Sequence, residues 1–376
     1  MKKLPIVIGV LILMVVVVML TFVRTTEELH DVRIGAILEL TGPLAPQGER
    51  SKRGMDLALV EINSVGGISG KRMTLIVEDT KTDPKEGVAA FRKMVEIHNV
   101  PVVTGAVGSS VVMACAPIAN EKKVVLFSAG ATSPLITNAG DYVFRNRVSG
   151  EAEVRAMADF AVNKLKVKRL AVIYVNTDYG AGNKEVFEKA FGGHGGQILL
   201  SEGFDQGESD FRTYISKIRS LHPQAVYIIA HSIETAYFLK QAEELGLDTR
   251  FLSTIGVKSP DLWRIADDAG NGVIYTVQKF DPNASERSTA FTNKYREEYG
   301  EAPDLFAALG YDAIHILAKV IEERGYAAEA IKNGLYDLSN FYGVVGKISF
   351  DQNGDVESEI TMEITKDGKF VPYMQE

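Results

Sequence analysis

Two short polar stretches could hold a ligand without reacting with it. Ser109 and Ser110 come shortly after the apolar run Pro101–Thr104, and Ser128-Ala129-Gly130-Ala131-Thr132 follows the run Val124–Phe127. Hydroxyls set among small residues leave backbone N–H groups accessible, a chemistry suited to an anion gripped by hydrogen bonds. Between the runs lies a helical pattern over Val111–Asn120, so the order is strand, loop, helix, strand, loop. In an open parallel sheet, ligands sit beyond the carboxyl ends of the strands, and a helix N-terminus favours negative charge. The expected guest is a small carboxylate or similar anion, bound by hydroxyls and by free N–H groups of these loops.

The elements that position such loops recur along the chain. Val32–Leu40 reads as a buried strand, Thr41–Gly48 as a loop, and Gly48–Ser64 as a helix with Met55, Ala58, Leu59 and Ile62 on one face. Met73–Glu78 is a strand, and Asp83-Pro84 with Glu86 starts a capped helix. After a short strand at Tyr142–Arg145, Val148-Ser149-Gly150 marks a crossing and the alternation starts afresh. Helices Glu151–Leu165, Gly180–Phe191, Asp210–Leu221 and Glu234–Leu245 alternate with strands Arg169–Val175, Gln197–Phe204, Ala225–Ala230 and Phe251–Thr254. Strand Gly272–Thr276 ends this second series, and Pro282–Glu298 and Asp304–Glu323 are two long helices. Gly346–Phe350 and Glu359–Thr365 are expected to close the chain as a hairpin around the turn Asp351–Gly354. Connectors near residues 149, 278 and 345 suggest three crossings between two α/β lobes that face each other across a cleft.

Composition narrows the function classes. A chain of 376 residues with 46% apolar and 24% charged residues can build two ordinary domains. Its formal charge of −8 argues against nucleic acid or anionic lipid as a partner. The one cysteine, Cys115, permits no intrachain disulfide and falls in a helical pattern, as a small core residue does. Lys2 and Lys3 precede an apolar run, Leu4–Val23, with no small-residue cleavage pattern after it. Its length suits a bilayer span, so residues 4–23 read as a membrane tether in preference to a cleaved signal, with the remainder exported.

Motifs for catalysis fail on inspection. Gly70-Lys71 lacks the earlier glycine of a phosphate-binding loop, and Gly105 with Gly108 gives only a fragment of the dinucleotide fingerprint. Histidines are scattered without metal-ligand spacing, and Asp351–Asp355 lacks the later glycine and glutamate of a calcium loop. Neither Ser109 nor Ser110 has a local base. The reading is of a binding protein, not an enzyme, with no cofactor and no metal.

Several stretches together carry a resemblance. LTGPLAPQG, GMDLALVEINSVGGISGKRMTLIVEDTKTDP, TGAVGSS, SAGATSP and NTDYGAG occur in that order. In this the chain, from Val32 to its C-terminus, resembles the branched-chain amino acid (leucine/isoleucine/valine) binding proteins of ABC transporters, the type I periplasmic solute-binding family. The resemblance implies an α/β fold of two Rossmann-like lobes joined by a three-stranded hinge. Residues 1–31 would be an anchor or signal segment with a tether, residues 32–149 with 278–345 the first lobe, and residues 150–277 with 346–376 the second. It implies an extracytoplasmic protein that captures a small carboxylate, an amino acid or a related organic acid, for an ABC permease. A ligand-sensing ectodomain that signals to a partner protein is the alternative output of the same fold.

The same resemblance assigns residues. The ligand carboxylate would be held by Ser109 and Thr132, with the backbone N–H of Gly130, and Ser110 and Ser128 stand next to them. Tyr179 would close on the ligand from the second lobe, with His231 as a further contact and Phe306 on the side-chain pocket. Two positions depart from the family. Ile255 stands where amino acid binders carry the acid that pairs with the ligand ammonium, and Gln47 replaces a tyrosine of the first loop. Asp178 or Asp205 would have to substitute for the lost acid, because a buried ammonium without a partner is costly. A carboxylate without an amine, or an amide, therefore stands beside the amino acids as an expected ligand.

Overall fold

The computed structural model describes residues 31–374, so the expected membrane tether at residues 4–23 lies outside the described residues. Among the described residues no helix is long and apolar enough to cross a membrane.

The first series alternates as the sequence predicts. Its members are β1 (Val32–Leu38), α1 (Ala45–Ser64), β2 (Met73–Asp79), α2 (Pro84–Arg92), β3 (Val102–Gly105), α3 (Ser109–Lys122), β4 (Val125–Ser128) and β5 (Val143–Arg145). The five strands form one parallel sheet in the order β2-β1-β3-β4-β5. Asp83 caps α2 by accepting from the N–H groups of Lys85 and Glu86, with Pro84 in the first turn. α1 begins at Ala45, earlier than the predicted Gly48, because Pro46 is tolerated in a first helical turn. Cys115 is buried in α3, and burial pushes its thiol up to about 12, as befits a core residue.

The second series runs α4 (Gly150–Asp159), β6 (Arg169–Val175), α5 (Asp178–Gly193), β7 (Gln197–Phe204), α6 (Arg212–Ser220), β8 (Ala225–Ile229), α7 (Ser232–Glu244), β9 (Arg250–Ser253), α8 (Asp261–Ala266) and β10 (Ile274–Gln278). Then come α9 (Glu286–Tyr299), α10 (Leu305–Arg324), α11 (Ala328–Tyr336), β11 (Phe341–Gly343), β12 (Gly346–Ile348), β13 (Ile360–Lys366) and β14 (Lys369–Pro372). The second sheet has the order β14-β13-β10-β9-β8-β6-β7, parallel from β10 to β7 and antiparallel at β13 and β14.

α9 and α10 return to the first lobe. Phe291, Tyr295, Ala308 and Ile314 share a core with Ile34, Met55 and Phe127. α1 and α10 touch backbone to backbone. A Cβ on Gly54 would collide with the Ala307 carbonyl, and one on Gly310 with the Ser51 carbonyl. This close approach explains why both glycines sit inside helices despite their poor helix propensity.

The predicted closing hairpin does not form. β12 pairs with β11, β13 pairs with β10 and β14, and Phe350 meets Val356 only as an isolated bridge. The third crossing correspondingly falls between Val356 and Ile360, not near residue 345. The Phe350 ring stands edge-on to Phe127 at 5.8 Å and to Phe144 at 5.7 Å, holding this stretch on the first lobe. Asp355 does the same through a charge pair: its carboxylate accepts from Arg145 Nε at 2.6 Å and Nη2 at 2.8 Å.

The crossings are tied together. Gln278 Oε1 accepts from Arg147 Nη1 at 2.9 Å and from the Val148 N–H at 3.0 Å. Glu153 accepts from Arg147 Nη2 and from the Gln278 N–H. The Lys279 N–H donates to the Glu359 carbonyl at 2.8 Å, which joins the second crossing to the third.

Candidate functional site

Strand order fixes where a site can lie. In the first sheet β1 is flanked by β2 and β3, and in the second β6 is flanked by β7 and β8. Each is a point where successive connections leave in opposite directions and open a crevice at the strand ends. The two crevices face each other across one cleft with about 590 Å³ of atom-free space, part of it continuous with solvent. Its wall is built from residues just beyond the strand ends. Leu44 and Gln47 follow β1, Thr82 follows β2, residues 107–111 follow β3, and Gly130 and Thr132 follow β4. From the second lobe come Thr177 and Tyr179 after β6, Gln206 after β7, His231 after β8, and Ile255 and Gly256 after β9. Phe306, in the first turn of α10, completes it.

One end of the cleft is a field of donors. α3 has no side-chain cap: its N-cap is Gly108. The N–H groups of Ser109, Ser110 and Val111 meet no acceptor among the described residues, and all three residues line the cleft. An uncapped first turn is a ready anion site. Ser109 Oγ accepts from the N–H groups of Thr132 at 3.3 Å and Ser133 at 3.1 Å. With its lone pairs so engaged, the Ser109 hydroxyl hydrogen is available to donate into the cleft. The Thr132 hydroxyl has no partner among the described residues, although the residue is only 5% exposed.

Three backbone N–H groups of these loops are already taken. The loop after β3 does not offer free N–H groups at Val107 and Gly108, because the Glu39 carboxylate accepts both, at 2.8 and 2.9 Å. Glu39 is fully buried. Burial raises its pKa and the two N–H bonds pull the other way. The Gly130 N–H points to Ser128 Oγ at 3.4 Å, so Gly130 reaches the cleft without offering it that donor. Ser128 does not line the cleft. Its hydroxyl donates to the Ala106 carbonyl at 2.7 Å and accepts from the Ala131 N–H at 3.1 Å, locking the two loops together.

The opposite wall is aromatic and neutral. Tyr179 and His231 stack with ring centroids 5.1 Å apart and planes 14° from parallel. The Tyr179 hydroxyl bonds to Thr254 Oγ1. Burial raises the Tyr179 pKa above its ordinary value, and burial lowers that of His231, against the opposing charge of Glu234. Both rings are therefore neutral near pH 7. Ile255 and Phe306 add apolar surface, and no Asp, Glu, Lys or Arg is among the lining residues. Neither Asp178 nor Asp205 lines the cleft, so neither takes the place of the acid missing at Ile255.

Of the residues singled out in the sequence, Ser109, Ser110, Gly130, Thr132, Tyr179, His231, Phe306 and Gln47 are brought together here, and Ser128 stands behind the wall. Sequence reasoning passed over Thr82 and Gln206. Both lie within three residues of a strand end, the signal that would have found them. Arg145 was passed over as well. It donates to the Ser133 carbonyl at 2.8 Å and so props the loop that carries Thr132.

Comparison with known proteins agrees with the fold. The profile of a family described as periplasmic binding protein matches residues 31–367. The chain is 29% identical over 346 residues to a leucine-, isoleucine-, valine-, threonine- and alanine-binding protein of Pseudomonas aeruginosa, covering 90% of each chain. A leucine binding protein from Thermotoga maritima superposes with a TM-score of 0.86 at 31% identity, over 91% of this chain and 97% of that one. The substrate binding protein of a branched-chain amino acid transporter from Streptococcus pneumoniae, in complex with isoleucine, gives 0.83 at 26% identity, over 90% and 97%.

Proposed function

This chain belongs to the periplasmic binding protein family, and we propose that it captures a small carboxylate, an amino acid or a related organic acid, and delivers it to an ABC permease. The family places the protein outside the cytoplasm. The apolar run Leu4–Val23 would tether it to the membrane beside that permease. The observation that carries the reading is the uncapped first turn of α3, opening with the Ser109 and Thr132 hydroxyls into a cleft that lacks charged side chains. Hydrogen bonds to a charged group contribute about 1.5–3 kcal/mol each, so a few such donors can fix a carboxylate without a cationic partner. The relatives named for leucine and isoleucine bind molecules that share that group. The wall holds one neutral imidazole and no nucleophile beside a base, an arrangement for holding and not for turnover.

The ligand is gripped from both sides. Ser109 and Thr132 belong to the first lobe, Tyr179 and His231 to the second, so full contact exists only with the lobes together. The test is a thermal-shift and calorimetric screen of small acids against their primary amides. Acids should raise the melting temperature by mass action while the matched amides do not. An amide that binds as tightly as its acid overturns the proposal.

A further inference from the structure

The cleft contains a polar group that the carboxylate does not use. Gln47 lines the wall opposite the loops of the second lobe and is only 4% exposed. Its Oε1 is buried without a donor among the described residues. A side-chain amide can be turned either way, and here either setting leaves one of its atoms short of a partner. A buried polar group left unpaired costs stability. Gln47 therefore calls for a second polar group on the ligand.

The surroundings define that group's charge. No carboxylate lines the wall: Glu39, which accepts the Val107 and Gly108 N–H groups, and Glu234, in the first turn of α7 after His231, are both buried outside the lining. The uncapped end of α3 adds positive potential. An ammonium placed there would be desolvated beside that potential, with only neutral acceptors. A hydroxyl carries no charge and can both donate and accept, so it satisfies Gln47 in either setting.

Resting on the carboxylate reading above, we propose that the cleft selects a hydroxy acid, a carboxylate whose second polar group is a neutral hydroxyl bonded to the Gln47 amide, over the corresponding amino acid. Calorimetry on the full chain tests this with two matched series: 4-methylpentanoate, 2-hydroxy-4-methylpentanoate and leucine, and phenylpropanoate, phenyllactate and phenylalanine. In the series that fits the pocket, the hydroxy acid should bind at least about tenfold tighter than the amino acid. Gln47→Leu should bring the hydroxy acid down to the affinity of the plain acid, which itself should change little. If the amino acid binds as tightly as the hydroxy acid, or if Gln47→Leu leaves their ranking and the hydroxy-acid advantage intact, the selection is refuted while the carboxylate reading stands. If no acid of either series or of the wider screen binds, the carboxylate reading falls and this inference with it. The wild-type ranking decides the matter even if Gln47→Leu fails to fold.

Discussion

The backbone N–H of Asp178 on the second lobe donates to Ser110 Oγ on the first at 3.2 Å. The Asp178 carbonyl accepts from Ser133 Oγ at 2.7 Å, so one peptide segment is clasped by two serines of the facing lobe. Gly182 makes the approach possible, since a Cβ there would press on Ser133 Oγ and the Pro134 ring. Ser133→Ala removes one clasp without touching the cleft wall. Ligand affinity should fall about 3–10-fold, the worth of one hydrogen bond, and small-angle scattering of the ligand-free variant should show a larger radius of gyration than wild type.

Thr132→Val keeps the shape of the side chain and deletes its hydroxyl. Affinity for the preferred acid should fall at least about tenfold with little change in melting temperature. Ser109→Ala should cost as much in affinity and also lower stability, because the Thr132 and Ser133 N–H groups lose their acceptor. Calorimetry and thermal melts on the pair separate the two effects.

Asp355→Ala strands the fully buried Arg145 guanidinium. Breaking a buried ion pair on one side costs about 3–5 kcal/mol, to be read as a lower urea midpoint. Because Arg145 also holds the Ser133 carbonyl, ligand affinity should drop even though Asp355 lies outside the cleft.

Gly310→Ala forces a methyl group onto the Ser51 carbonyl. Overpacking of this kind costs about 1–3 kcal/mol, here against helix propensity, which alone would favour alanine. A denaturation midpoint that rises would show that α1 and α10 can separate without penalty.

Glu61 links α1 to α9 and α10 through Lys294 at 2.7 Å and the Tyr311 hydroxyl, with His315 Nε2 at 3.4 Å. Burial raises its pKa, but these partners outweigh burial and bring it from 4.5 to about 2. A folded value below the unfolded one contributes stability that is present above 4.5 and lost as pH falls through about 2. Glu61→Gln should therefore cost about 1–2 kcal/mol at pH 7, allowing for solvent screening, and the difference from wild type should vanish near pH 2.

The alternation of strands and helices, the Asp83 cap and the two serine loops were legible because each rests on local pattern. Apolar runs fix strands such as Val32–Leu38, and small residues mark strand ends such as Gly105 and Ser128. Partnerships across the fold were not legible. Glu39 lies far along the chain from the N–H groups of Val107 and Gly108 that it occupies, and no periodicity announces that an internal carboxylate will claim them. The last segment misled for a similar reason. The turn at Asp351–Gly354 looks like a hairpin turn, but Phe350 and Asp355 are claimed by Phe144 and Arg145, and long-range packing overrides the local signal.

The bonding at Gln278 and Lys279 has a mechanical outcome. The side chain of one holds the first crossing and the main chain of the other holds the third, so the three crossings are bonded into one joint. A swing about that joint would open and close the halves like a book on its spine. A transporter resting on both covers would then sense whether a page is held between them.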